Sequence, residues 1–223
     1  MATAKKTVDE YTLLRDLILQ EKVYPNERLV ETEYAERFGT NRSNIRKALA
    51  RLEQEGLVVC EPFRGAHVRQ VTEAEAIELF EVRAALEIML VPHAVARVTA
   101  ADRKVLKGLL KKMRELQSNA NVEPVAAGLA SRQMRRELWR ISGHNTATVL
   151  LEKLNTQLVR IWFRGIAMPG RAQAMMGGIG VVVEAVCAGS SVEAVDAMRA
   201  YHEAAISNLK LAISIKNPLP LAR

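Results

Sequence analysis

Cysteine is nearly absent from this chain: Cys60 and Cys187 are the two among 223 residues. Two thiols without metal-ligand spacing exclude a disulfide framework and a cysteine-bound zinc site. Aromatic residues make up 4% against 49% apolar residues overall, so aliphatic packing must build the core. No apolar segment opens the chain and no apolar run reaches 18 residues, which predicts a soluble, cytoplasmic protein with no membrane partner. Chemistry-bearing patterns are missing too. Gly-Gly-Ile-Gly at 177–180 fits neither a P-loop nor a dinucleotide-binding turn. No G-x-S-x-G elbow and no paired nucleophile and base stand out. His93 reads as a surface or packing residue and His144, next to Gly143, as exposed in a turn. The expectation is a protein that is not an enzyme and carries no cofactor.

What is present begins with residues 40–52. Asn41 suits an N-cap, offering its side-chain oxygen to the N–H of Ser43 or Asn44. Ile45, Ala48, Leu49 and Leu52 then recur at i, i+3, i+4, i+7, one apolar stripe of a helix. Arg42, Arg46, Lys47 and Arg51 lie off that stripe, with no acid among them before Glu53. Upstream, 29–38 reads as a short helix burying Tyr34, Ala35 and Phe38, with Gly39 as its left-handed cap. A helix, a glycine turn and a basic helix form a helix-turn-helix, whose second helix enters the major groove. Downstream, 57–60 and 67–69 can pair as strands around Pro62-Phe63-Arg64-Gly65, making a wing with Arg64 and Gly65 at its tip and His67 near DNA. Tyr11, Leu14 and Ile18 share one face of a supporting helix that Thr7 can cap.

Charge does not mark this region by itself. Residues 1–70 hold twelve Lys and Arg and eleven Asp and Glu, a net of +1 out of +7 for the whole chain. DNA binding therefore depends on local placement of charge. A boundary falls near Val71, after which Thr72 and Glu75 form a capping box. From there helices are predicted near 73–97, 101–118, 123–142, 145–167, 172–188 and 192–213. Breaks fall at Ala101-Asp102, 119–123, Gly143, Pro169-Gly170 and 189–191. The glycines at 177, 178 and 180 disfavour helix, and the following valine run admits a strand instead.

The chain resembles the GntR family of winged-helix regulators. The residues that carry the likeness include Arg28-Leu29, Glu31, Tyr34-Ala35-Glu36, Asn41-Arg42-Ser43, Arg46-Lys47-Ala48-Leu49, Glu55-Gly56-Leu57-Val58 and Arg64-Gly65-Ala66. Arg83-Ala-Ala-Leu-Glu87 is similar to the R-x-x-L-E that opens the helical effector domain of the FadR-type (FCD) subgroup. Glu21 and Asn26 stand where the family has glycine, and Asn tolerates the positive φ that such a turn needs. The resemblance implies a mainly α fold: a winged helix-turn-helix over 1–71, then an all-helical antiparallel bundle over 72–223 that binds effector and dimerises. It also implies a DNA-contacting set of Thr32, Asn41, Arg42, Ser43, Asn44, Arg46, Arg64, Gly65 and His67.

In many FCD domains an aspartate and three histidines hold a divalent metal. Aligned on the family's pattern, Ser131, Arg135, Ile179 and Tyr201 occupy those four positions, with His202 beside the last. One imidazole does not make such a site, so no metal is expected. Two placements are open for Arg135: into the bundle beside Met134, Leu138 and Ile141, or out to solvent with Arg132, Arg136 and Arg140. Arg83 and Glu87 either pair with each other or meet a ligand. With the inward placement, Arg83, Glu87, Ser131, Arg135, Trp139, Ile179 and Tyr201 form an effector site suited to an organic carboxylate. The whole reads as a ligand-responsive transcriptional regulator, a homodimer on a short palindromic operator of double-stranded DNA. An alternative is a helical enzyme or storage module with a vestigial winged helix.

Overall fold

The computed structural model describes residues 9–19, 22–119, 122–166 and 170–214, with backbone alone at 159–166 and 212–214. The chain divides into two compact units, one holding Met1–Thr72 with Asn155–Arg160, the other Glu73–Leu154 and Ile161–Arg223.

The first unit is a winged helix. Helix α1 (Glu10–Leu19) buries Leu14 and Ile18, and Tyr11 donates its hydroxyl to Glu55 at 2.5 Å. Thr7 and Glu21 lie outside the described residues. Helix α2 (Glu31–Phe38) buries Tyr34 and Ala35 and ends on Gly39 at φ 63°. Leu29 is not helical as expected: Arg28–Leu29 forms a short strand, β1, because its backbone completes a sheet edge. Helix α3 (Arg42–Gln54) buries the predicted stripe of Ile45, Ala48, Leu49 and Leu52. Asn41 caps it, accepting from the Asn44 N–H at 2.9 Å. Strands β2 (Val58–Glu61) and β3 (Gly65–Val68) pair antiparallel, and β1 joins the far side of β3. Gly65 pairs with Glu61 and is part of β3, so the wing tip is residues 62–64. Asn26 takes φ 64°, as its place in a glycine turn requires.

The second unit is a helical bundle. Helices α4 (Glu73–Arg97), α5 (Ala100–Gln117), α6 (Pro124–Ser142) and α9 (Ser191–Ser214) pack around α8 (Arg171–Ala188). Helix α7 (Asn145–Ile166) adds Ala147 and Leu151 to an apolar cluster with Leu90 and Trp139. Ala101-Asp102 is not a break, since Thr99 caps α5 and the Asp102 carboxylate accepts the Thr99 N–H in return. His144 is half-buried, not exposed, because its Nδ1 accepts the Ala147 N–H at the start of α7.

Helix α8 runs straight through the glycines and valines. A Cβ on Gly178 would lie 3.1 Å from the Tyr201 ring, and one on Gly180 3.3 Å from Leu110. The glycines thus let α9 and α5 approach closely, and packing overrides local propensity. Val182 and Val183 are buried. By length and composition α8 could cross a membrane, but here it is the central helix of the bundle, with α5, α6 and α9 against it.

Candidate functional site

The exposed end of α3 is the first candidate. Arg42 and Arg46 stand one turn apart with side chains 63% and 68% exposed. Both reach back to Glu31 at the start of α2. Arg46 does so bidentately, Nε and an Nη each 2.8 Å from one carboxylate oxygen, while Arg42 approaches at 3.5 Å. The Arg46 hydrogen bond, with Arg46 and Arg42 charge behind it, holds the Glu31 carboxyl below its ordinary range. Arg28, Thr32, Arg42, Arg46, Gly65 and Glu31 line a groove of about 480 Å³ between β1, α3 and the wing. Asn41 and Ser43 are exposed beside it, and Arg64 is 80% exposed with a 2.8 Å pair to Glu61. Asn44 is the departure. Its amide turns inward to Glu10 and Thr40 at 3.2 and 3.1 Å, so it positions α1. His67 is half-buried in β3 opposite Arg28.

The second candidate lies inside the bundle. Arg83 and Glu87 on α4, Arg135 and Ser131 on α6 and His202 on α9 are all buried, at 2% exposure or less. Arg135 takes the inward placement, its Nη1 3.5 Å from a Glu87 oxygen. The other Glu87 oxygen is 2.7 Å from His202 Nε2. Burial would raise the Glu87 carboxyl, but Arg135, the His202 hydrogen bond and Arg83 outweigh it and hold it at about 2. Burial lowers His202 despite the pull of Glu87, so the ring is neutral at neutral pH and donates Nε2–H. Burial and the like charge of Arg135 bring Arg83 down to about 10, against the pull of Glu87, and leave it cationic. Arg83 makes no ion pair with Glu87. Its guanidinium lies over the Phe80 ring, 4.4 Å from the centroid.

Donors outnumber acceptors in the cluster. Arg83 Nε and Nη2, Arg135 Nε and Nη1, and Ser131 Oγ are buried without a hydrogen-bond partner, as are two acceptors, His202 Nδ1 and the Glu87 Oε1 that lies 3.5 Å from Arg135 Nη1. Two guanidiniums face one carboxylate, an excess of one positive charge in a desolvated interior. Ile179 is fully buried, and Tyr201, with its ring edge against His202 at 5.2 Å between centroids, is nearly so. Trp139 sits in the separate cluster with Leu90, Ala147 and Leu151, although it follows Arg135 by one turn. Arg136 is exposed and paired with Glu152 at 2.5 Å. His202 is not among the predicted effector residues, since its place as partner to Glu87, 115 residues away, leaves no local signal.

Residues 8–68 match the gntR family of bacterial regulatory proteins, and residues 78–204 match the FCD domain. The chain belongs to the FCD branch of the GntR family. It is 31% identical over 105 residues to YdhC, an uncharacterized HTH-type transcriptional regulator of Bacillus subtilis, covering 47% of this chain and 46% of that protein. It is 32% identical over 91 residues to the HTH-type transcriptional repressor GlaR of Escherichia coli, covering 41% of each. The chain thus spans about half the length of the curated relatives it matches. The fold superimposes on that of E. coli McbR/YncC with a TM-score of 0.72 at 20% identity, over 97% of this chain and 100% of that one.

A GntR/FCD fold raises the question of metal. Among the described residues no group of three or more His, Cys, Asp or Glu could hold one. The cluster offers two donors, Glu87 and His202, with two guanidiniums beside them that repel a divalent cation. These residues do not fit a metal.

Proposed function

We propose that the protein is a transcriptional regulator that binds a short palindromic operator as a homodimer and senses a small organic anion in its bundle. The buried excess of guanidinium N–H groups over acceptors carries the effector half of this reading. A carboxylate entering between α4, α6 and α9 supplies acceptors to Arg83 and Arg135, and Ser131 and Tyr201 can add hydroxyls. The DNA half rests on Arg42 and Arg46, which stand exposed on an acid that phosphate or a guanine edge can replace. That related GntR proteins bear the names of transcriptional regulators and a repressor agrees with it.

The test is selection of duplexes from a random pool, followed by titration of the enriched sequence at several salt concentrations. Tight binding with a steep salt slope and a two-fold symmetric site is expected. Arg42→Ala should weaken it by about tenfold and relax one base position per half-site. Unchanged binding by both Arg42→Ala and Arg46→Ala, in folded protein, would overturn the assignment of α3.

A further inference from the structure

Phe63, at the wing tip, is 106% exposed, the highest value for a large apolar side chain among the described residues. Its φ is 63°. For an L-residue the left-handed region is disfavoured, because Cβ crowds the following carbonyl oxygen. Asn26 is the other non-glycine residue there among the described ones, and a short polar side chain suits that region as a phenyl ring does not. The tip therefore holds an aromatic in a disfavoured conformation and gains no burial in return. Strain of this kind persists at sites that meet something outside the molecule.

The surroundings say what that is. Pro62 stiffens the approach to the tip and Arg64 follows, 80% exposed. The Arg28 guanidinium lies 3.6 Å from where a Gly65 Cβ would be, so a second cation flanks the same loop. Arg28 and Gly65 line the groove together with Arg42 and Arg46, and Arg64, paired with Glu61, precedes Gly65 at its edge. An apolar ring on a loop with arginines at both sides of its base suits a polyanion with an apolar interior, and duplex DNA has both. A second protein surface offers the apolar part without a ladder of charge.

We infer that Phe63 is a wedge that enters the DNA minor groove beside the major groove held by α3, with Arg64 and Arg28 on the flanking phosphates. This rests on the DNA-binding reading above. Apolar side chains inserted at a base step unstack it and kink the duplex toward the major groove. The wing would then favour pyrimidine–purine steps, which deform most easily, giving sequence preference without a hydrogen bond to a base.

The experiment uses the full chain and a duplex enriched from a random pool by the parent protein, labelled at both ends so that energy transfer reports bending. Phe63→Asn suits φ 63° and removes the ring, so it should keep or raise the melting temperature. It should nonetheless weaken binding by about tenfold, roughly what loss of one base-contacting aromatic does, and straighten the duplex. Phe63→Leu should retain most of the bend. Phe63→Asn binding and bending DNA as the parent does would overturn the inference while leaving the regulator reading intact. So would a concentration-dependent oligomer of the parent that Phe63→Asn abolishes without changing DNA affinity. A parent that enriches no duplex would remove the regulator reading and the wedge together.

Discussion

Two arginines and one glutamate occur together twice in this molecule, once at the surface and once inside. At the start of α3, Glu31 holds Arg42 and Arg46 with the arginine side chains 63% and 68% exposed. In the bundle, Glu87 lies near Arg83 and Arg135 with all three essentially sealed from water. Composition and net charge are the same, and burial and pairing geometry separate them. At the surface, water and salt compete for every partner, so the pair contributes little to stability and exchanges readily. Under the DNA-binding proposal, Glu31 holds Arg42 and Arg46 in place and yields them to phosphate or guanine. In the interior no water replaces a lost partner, so Glu87 stays and the unused N–H groups remain a standing demand for an acceptor. One arrangement is a reversible latch. The other is a buried cluster with one positive charge in excess.

The largest expected difference between them is in stability. Glu87→Ala leaves two buried guanidiniums without a counter-charge and should cost about 3–5 kcal/mol in urea unfolding. Glu31→Ala should be close to neutral. Similar losses in the two variants would break the comparison at its root.

Acid should affect the interior group more than the surface one, and in two stages. His202 has its folded value below the ordinary 6.5, so below that pH the unfolded chain binds a proton that the native state does not. Stability is therefore full above about 6.5 and falls as pH drops, at up to about 1.4 kcal/mol per pH unit. Glu87, lowered from 4.5 to about 2, contributes stability that is present above 4.5 and is lost as pH falls toward 2. His202→Gln should flatten the profile between pH 7.5 and 5.5. An unchanged slope in that variant would mean that another group carries it.

The smallest effect belongs to the latch. Glu31→Gln releases the hold on Arg42 and Arg46, so affinity for random-sequence duplex should rise a few-fold and the salt slope steepen by up to about one. Weaker binding instead would show that Glu31 aligns the arginines and does not compete with the DNA.

These differences explain what could be read from the chain alone. The α3 stripe, the Asn41 cap and the Gly39 turn are determined within a few residues, and each is where the sequence pattern puts it. The latch joins Glu31 to residues 11 and 15 positions away, and Glu87 meets His202 across 115. No local periodicity reports such contacts. Helix α8 departs for the same reason: Gly178 and Gly180 weaken a helix in isolation, and only the nearness of Tyr201 and Leu110 makes them the residues that fit. Strand β1 is two residues long, too short to show alternation. Arg135 itself was undecidable in sequence, since it borders an apolar stripe and an arginine run at once. The Glu87 carboxylate, supplied by a different helix, gives it an inward partner.

The central claim is that the buried cationic cluster of the bundle takes an anion, and calorimetric titration across a panel of small carboxylates tests it directly. The parent should bind one or more of them without added metal, and chelator should change neither affinity nor melting temperature. Arg135→Ala should weaken the best ligand by about 2 kcal/mol or more, because the anion would be left desolvated without its partner. Arg135→Lys should recover part of that, lacking the planar fork, and Arg136→Ala on the exposed face should leave affinity unchanged. Equal losses in Arg135→Ala and Arg136→Ala, or a preferred ligand with no negative charge, would contradict the account.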